Sequence, residues 1–288
     1  AKWGLVGTAT TLYLLCHDAP FLWACFMAFL FAYSFAGLAH LLVDFIVYIF
    51  TDPVCLPERE DVAKQGIPAS TRAVFVRPIF AKTTDEMKTL LDNMKRDIEA
   101  NQEPHRQMKF IVIDNTRAED VRAYVRTRIR ALQGEFGEDV VFYFHRNPEC
   151  DFFKKLGIYQ DLVMLLLEGW TRPRHYTDPK WAPSVRGTRD PSKPVWDEIL
   201  GDVNTLGIHG SAADILAGRE VTVPKDDRVE IAFVADADNV WPAGQPRKIV
   251  AKILHPANRL VSIFQPGIEL SNPDDNGFIR MNAWAREM

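Results

Sequence analysis

The chain is poor in cysteine and lacks the motifs of several common enzyme classes. Its four cysteines, Cys16, Cys25, Cys55 and Cys150, include no CxxC pair. That excludes a disulfide framework or a cysteine zinc site as the organising feature. No P-loop, GxGxxG, GxSxG or HExxH run occurs, which removes the enzyme classes built on those motifs. A basic surplus is also missing: 34 Lys and Arg stand against 38 Asp and Glu, a net charge of −4. A general nucleic-acid partner is therefore not expected. No internal repeat or low-complexity tract is visible.

What the chain does have is a strong asymmetry. Residues 3–50 are mostly apolar, and the rest has the composition of a folded soluble domain. The run from Pro20 to Ala39 carries no charge, and about 20 such residues suffice to cross a bilayer as a helix. The run WGLVGTATTLYLLC, before His17 and Asp18, reads as the end of another span cut by the start of the chain. Residues 1–51 are thus expected to be a membrane-spanning segment of about two helices, with a buried apolar hairpin as the alternative. A secretory signal is not expected, because no basic start or small-residue cleavage site is present. His40 and Asp44 share a helix face and read as a polar edge where the span emerges.

Residues 52–70 are rich in Pro and charge and read as a linker. Beyond it, apolar strand patterns alternate with helical ones. Strands are expected near Arg77-Pro78, at MKFIVIDN ending at Asp114, at DVVFYFHR ending at His145-Arg146, and at VEIAFVAD. A further strand is expected in LVSIFQPGIEL. Helices are expected over 85–101, 118–133, 155–168 and 247–254. This order predicts an α/β domain over 71–288, with a mostly parallel sheet flanked by helices. Residues 169–228 show no clear pattern and read as an insert. In such sheets, ligands bind beyond the carboxyl ends of the strands. The expected strands end in polar residues there: Arg77, Asp114, His145-Arg146, and Asp236 with Asp238.

Asp236 and Asp238 point to the same side of an extended chain. Two close carboxylates repel unless a cation lies near them. A hard divalent cation, Mg²⁺ or Mn²⁺, shared with substrate phosphates resolves that repulsion. The bland alternative is a solvated turn with two acids.

Several runs, in order, resemble one group of enzymes. KKLGIYQDLVMLLLEG (Lys154–Gly169) is similar to the KRGKLxxLNxLLRG-like segment of cyclic β-1,2-glucan synthases, glycosyltransferase family 84. ADADNVWP (235–242) resembles their DADTxLP, ILHPANR (253–259) their AHPLNR, and IFQP (263–266) their ILQP. The resemblance spans about Arg72 to Pro266 and, more broadly, points to family 2-type glycosyltransferases with the GT-A fold. It implies a membrane-anchored, inverting glucosyltransferase that moves glucose from UDP-glucose onto a β-glucan acceptor. Asp114 would hold the uridine part, and Lys155 and Gly157 would match the basic turn near the nucleotide. Asp236 would contact the donor and Asp238 the metal. A cytosolic donor implies a multi-pass inner (plasma) membrane protein with its catalytic domain in the cytosol.

The chain departs from the pattern at Ile158, where an Asn is usual, and at RPIFAKTTDE after the first strand. The family's general base lies in a later acidic motif, so it is expected beyond Met288 in a longer protein. Asp274 and Asp275 sit among Asn, Pro and Gly and read as a solvated turn. The missing base keeps a second reading open: a nucleotide-sugar-binding or scaffold module without turnover. A sugar nucleotidyltransferase would need a Gly-rich loop after the first strand, which RPIFAKTT lacks. His209 and His255 read as isolated, with His255 capping its own loop. Trp170, Trp181 and Trp196 read as packing against their own subdomain.

Overall fold

The computed structural model describes residues 10–11, 13–14, 20–31, 42–43, 56–103, 106–150, 154–172, 192–236 and 239–261, with side chains for all of these except 150 and 154–156. The chain divides into two compact units: Pro57–Phe264, and Ala1–Leu56 together with Gln265–Met288.

In the second of these units, residues 21–31 are helical. Ala24 and Ala28 are buried, while Phe21, Leu22, Trp23, Phe26, Phe29, Leu30 and Phe31 are exposed. Among the described residues, no helix is long and apolar enough to cross a membrane. The span expected over 20–39 is therefore seen as helix only to residue 31. Residues 32–39, like most of 1–19 and the strand expected near 262–270, lie outside the described residues.

The Pro57–Phe264 unit is a mixed α/β structure. Its elements in chain order are α1 (Glu60–Gln65), β1 (Ala73–Ile79), α2 (Thr84–Asn101), β2 (Met108–Asp114), α3 (Glu119–Phe136), β3 (Val141–Arg146), α4 (Lys154–Glu168), β4 (Trp196–Leu200), α5 (Ala212–Leu216), β5 (Ile231–Val234) and α6 (Gln245–Ile253). The five strands form one sheet in the order β4-β3-β2-β1-β5. All neighbours are parallel except β3 and β4, which run antiparallel.

Every residue of β1 is buried, as a central strand covered on both faces requires. Alternation along the strands feeds two cores. Phe75, Ile79, Phe110, Val112, Val141 and Tyr143 meet the apolar stripes of α2 and α3, with Val62 of α1 and Val250 of α6. Val74, Val76, Ile111, Ile113, Phe142 and Phe144 meet α4 and residues from 195–223. Helix α2 starts where its cap dictates: Thr83 accepts from the Glu86 N–H, and Glu86 accepts in return from Lys82 N. That reciprocal pairing satisfies amide groups that the first turn leaves open.

Two segments differ from their sequence-level appearance. From Pro57 onward, the region read as a linker packs into the unit. Val62 and Ile67 are buried, the Ile67 N–H donates to Glu103, and the Arg59 N–H donates to Ala251 O. The described part of the 169–228 insert supplies edge strand β4 and half of one core. Trp196, Val203, Leu206, Ile208, Ile215 and Val221 are all buried. Its apolar residues are spread over short turns, so no single period runs long enough to be read.

Gly169 joins α4 to that insert. Its φ is +70°, and a Cβ there would lie 2.3 Å from the Val221 carbonyl oxygen. The helix end needs both the left-handed backbone and the missing side chain. Gly169→Ala is expected to lower the unfolding free energy by about 2 kcal/mol or more, from backbone strain plus the displaced Val221 backbone. Urea denaturation checks this; a loss under about 0.5 kcal/mol, typical of a surface change, would show that the junction re-forms without glycine.

Candidate functional site

Strands β1, β2 and β3 step outward in one direction, and β5 lies on the other side of β1. The chain thus reverses its strand order between β1 and β5. In open α/β sheets, the crevice outside the carboxyl ends at such a reversal is where ligands bind. Asp236 leaves β5 at this position, one residue after Ala235 donates to Val76 O at 3.1 Å. Asp236 is exposed. Ala237 and Asp238 lie outside the described residues. The chain is described again at Asn239, whose N–H donates to Asp236 O at 3.1 Å.

The segment from Asn239 onward is held by a set of buried polar contacts. Arg77 of β1 and Asp97 of α2 form an ion pair with both side chains essentially without exposed surface. Arg77 also donates to Asn239 O at 2.5 Å, and the Trp241 N–H donates to Asp97 Oδ1 at 2.8 Å. One helical turn later, Asn101 Oδ1 accepts from Gly244 N at 2.9 Å. The Trp241 ring then stands edge-on to Phe75 and Phe233, at 5.4 and 5.7 Å between centroids. The chain is therefore anchored on both sides of residues 237–238, by Ala235 against β1 and by Asn239 and Trp241 against Arg77 and Asp97. Burial pushes the Asp97 carboxyl above its ordinary range, while Arg77 and the Trp241 N–H pull the other way.

Sequence reasoning missed Asp97 and Asn101. The available signal is their spacing: Asn93, Asp97 and Asn101 repeat every four residues beside the apolar stripe of α2, and all three are buried. Such a polar row on a buried helix face must have partners.

The other strand ends look inward. Asp114 is fully buried; its oxygens accept from Thr116 N at 2.8 Å and the Tyr143 hydroxyl at 2.9 Å. Tyr143 is pushed well above the ordinary phenol range by burial and by the Asp114 carboxylate. Arg146 pairs with Asp161 of α4 at 2.8 Å, both buried. His145 has Asp197 Oδ1 2.5 Å from Nδ1 and Thr116 O 2.8 Å from Nε2. A carboxylate and a carbonyl can only accept, so both ring nitrogens must donate and the ring is an imidazolium. Burial opposes the charge, but the Asp197 and Thr116 hydrogen bonds outweigh it and raise the pKa.

Lys155 and Gly157 both fall within the first turn of α4, which begins at Lys154, so the expected basic turn is helical here. Gly157 is buried; the Lys155 side chain is outside the described residues. Two residues on, the Tyr159 hydroxyl is buried and has no hydrogen-bond partner among the described residues. Burial and the negative charge of Asp236 raise its pKa, with Arg77 opposing. Tyr159 thus belongs electrostatically to the Asp236 crevice, which the sequence did not indicate.

Among the described residues, no group of three His, Cys, Asp or Glu is placed to hold a metal ion. At the carboxyl edge the described residues offer Asp236, which is exposed, while Asp238 lies outside them. That fits a hard cation shared with phosphates, which takes one or two protein carboxylates.

The remaining candidates resolve simply. His255 caps the turn Pro256–Asn258, its Nδ1 accepting from Ala257 N at 3.2 Å. His209 pairs with Asp227 at 2.9 Å. Trp196 is fully buried against Phe144. Trp170 is half-buried; Trp181, Asp274 and Asp275 lie outside the described residues.

Two outcomes are expected. Asp97→Asn leaves the Arg77 guanidinium buried without its countercharge and should cost about 3–5 kcal/mol, read as a shift in the urea midpoint; a near-neutral change would mean that Arg77 escapes to solvent. The raised His145 pKa makes the charged ring stabilising below its unfolded pKa of about 6.5, and that contribution is lost as pH rises through the folded value. Stability should therefore fall between neutral and mildly alkaline pH in the wild type and less so in His145→Gln. Equal pH profiles for the two proteins would remove the imidazolium.

No protein-family model matches this sequence, and no curated protein matches it.

Proposed function

We propose that the Pro57–Phe264 unit binds UDP-glucose at the carboxyl edge of its sheet and transfers glucose, with inversion, onto a growing β-glucan. The observation that supports this best is the coincidence of three features at one place. The strand order reverses between β1 and β5, an Asp-x-Asp run leaves β5 there, and buried side chains from α2 pin the segment that follows it. A site that stabilises developing charge works best when its groups need not reorganise. Pinning the chain on both sides of residues 237–238 serves that requirement.

In this reading, Asp236 contacts the donor, and Asp238 together with the donor phosphates holds Mg²⁺ or Mn²⁺. When bound, the metal offsets the charge that grows on the leaving diphosphate. Lys155, in the first turn of α4, adds a positive charge beside the diphosphate, and Gly157 belongs to the same donor-binding turn. Asp114 acts on the uridine side by fixing loop 115–118 through the Thr116 N–H, since its own oxygens are buried. No described residue is assigned as general base. The lipid bilayer is the partner of helix 21–31, whose large apolar side chains are exposed, in a multi-pass inner-membrane protein with this unit in the cytosol.

A second reading, a nucleotide-sugar-binding or scaffold module without turnover, is favoured by one observation. Arg77, Asp114, His145 and Arg146 are each engaged inside the protein rather than aimed into the crevice.

Calorimetric titration of UDP-glucose and UDP, with Mn²⁺ and then with EDTA, tests both. Metal-dependent binding is expected, reduced about tenfold or more in Asp238→Asn and Asp236→Asn, with an unchanged urea midpoint in Asp236→Asn because that residue is exposed. Binding that is indifferent to EDTA and to both substitutions would sink the metal site. Metal-dependent binding without donor hydrolysis or polymer formation would select the second reading.

A further inference from the structure

The opposite edge of the sheet carries an unassigned cleft of about 280 Å³, lined at the starts of β1 and β2 by Thr71, Arg72, Arg106, Gln107 and Lys109, with Thr205 across from them. Three cations face one small space, and no carboxylate lines it. The neighbouring acids only partly match them. Arg106 and Lys109 share Asp139, at 2.8 and 3.9 Å. Arg72 has Asp227 at 2.5 Å, and that same carboxylate also takes His209.

Lys109 is the telling residue. Its side chain is only 15% exposed, and its nearest carboxylate oxygen is 3.9 Å away, beyond hydrogen-bond reach. Among the described residues, the ammonium has no hydrogen-bond acceptor. Burial holds its pKa below the ordinary lysine range, and the positive charges of Arg106 and Arg72 add to this against the pull of Asp139. Beside it, the Gln107 side-chain oxygen is buried and unpartnered among the described residues. An amide whose oxygen and nitrogen are exchanged would present an N–H there instead. A half-buried ammonium with no carboxylate oxygen in hydrogen-bond reach among the described residues is placed to take an anion from the cleft.

We infer that this cleft is an anion site that takes a small phosphorylated molecule, distinct from the crevice at Asp236. Guanidinium groups match phosphate oxygens with paired N–H donors, and the lysine adds a point charge. The volume suits a pyrophosphate or sugar phosphate rather than a whole nucleotide sugar. A phosphate group could come from a free metabolite or from a lipid headgroup. A recessed cleft among strand starts favours the free anion.

The test is titration of sodium pyrophosphate into the full chain in EDTA, which silences any metal-dependent site. Binding is expected, weakened about tenfold or more in Lys109→Met and again in Arg106→Gln, and unchanged in Asp236→Asn. Arg106 is exposed, so Arg106→Gln reports on binding even if Lys109→Met disturbs the fold. No binding at millimolar pyrophosphate, or equal binding by wild type and both variants, would overturn the site. Lys109-dependent capture on phosphatidylglycerol vesicles without pyrophosphate binding would overturn the free anion in favour of a headgroup.

Discussion

A guanidinium in the middle of a central strand is a severe constraint, because neither face of that strand reaches water. Arg77 occupies such a place, and the fold meets its demand by bringing Asp97 from α2. The pair does more than neutralise itself. Arg77 also donates to the carbonyl of Asn239, and Asp97 also accepts from the N–H of Trp241. A buried ion pair is weak evidence for stability, since replacing it with apolar groups is often neutral. Its value here is positional: it makes the path of the chain after β5 depend on the docking of α2. Asn101 repeats the device one turn later, and Trp241 locks it with apolar contact.

The same logic runs along the carboxyl edge. Asp114 holds Tyr143 and Thr116, His145 bridges Asp197 and Thr116, and Arg146 reaches Asp161 on α4. Each strand end thus ties the sheet to a loop or helix that the ladder does not reach. Thr116 is the common point, receiving on its carbonyl from His145 and donating its N–H to Asp114. The rim of the crevice is therefore stiff, and the exposed acid at Asp236 projects from a fixed frame. On the amino edge the balance is different. There, among the described residues, cations outnumber well-placed acceptors, and Lys109 has its nearest carboxylate oxygen 3.9 Å away.

The helical pattern and the alternation of apolar runs were legible in the sequence because each repeats over many residues. Strands β1, β2, β3 and β5 and helices α2, α3, α4 and α6 fall close to where periodicity puts them, and the parallel sheet follows from their order. Strand β4 was not legible. WDEIL is five residues with two acids, and it becomes a strand only because the edge of β3 is available to pair. The capping role of His255 was legible from Pro256 beside it, since that interaction is local.

What the sequence determined by itself is therefore the set of elements, their class, and the presence of two acids at the end of an apolar strand. Those are consequences of local propensity and period. Tertiary structure decided which polar residues serve the frame and which face solvent. Asp97 and Arg77 lie 20 residues apart, Asp97 and Trp241 144 apart. Nothing local distinguishes Asp97 from a solvated helix residue, or Asp114 from an exposed ligand. The difference arises only when α2 and β3 close over them, because burial turns an ordinary carboxylate into one that must find partners.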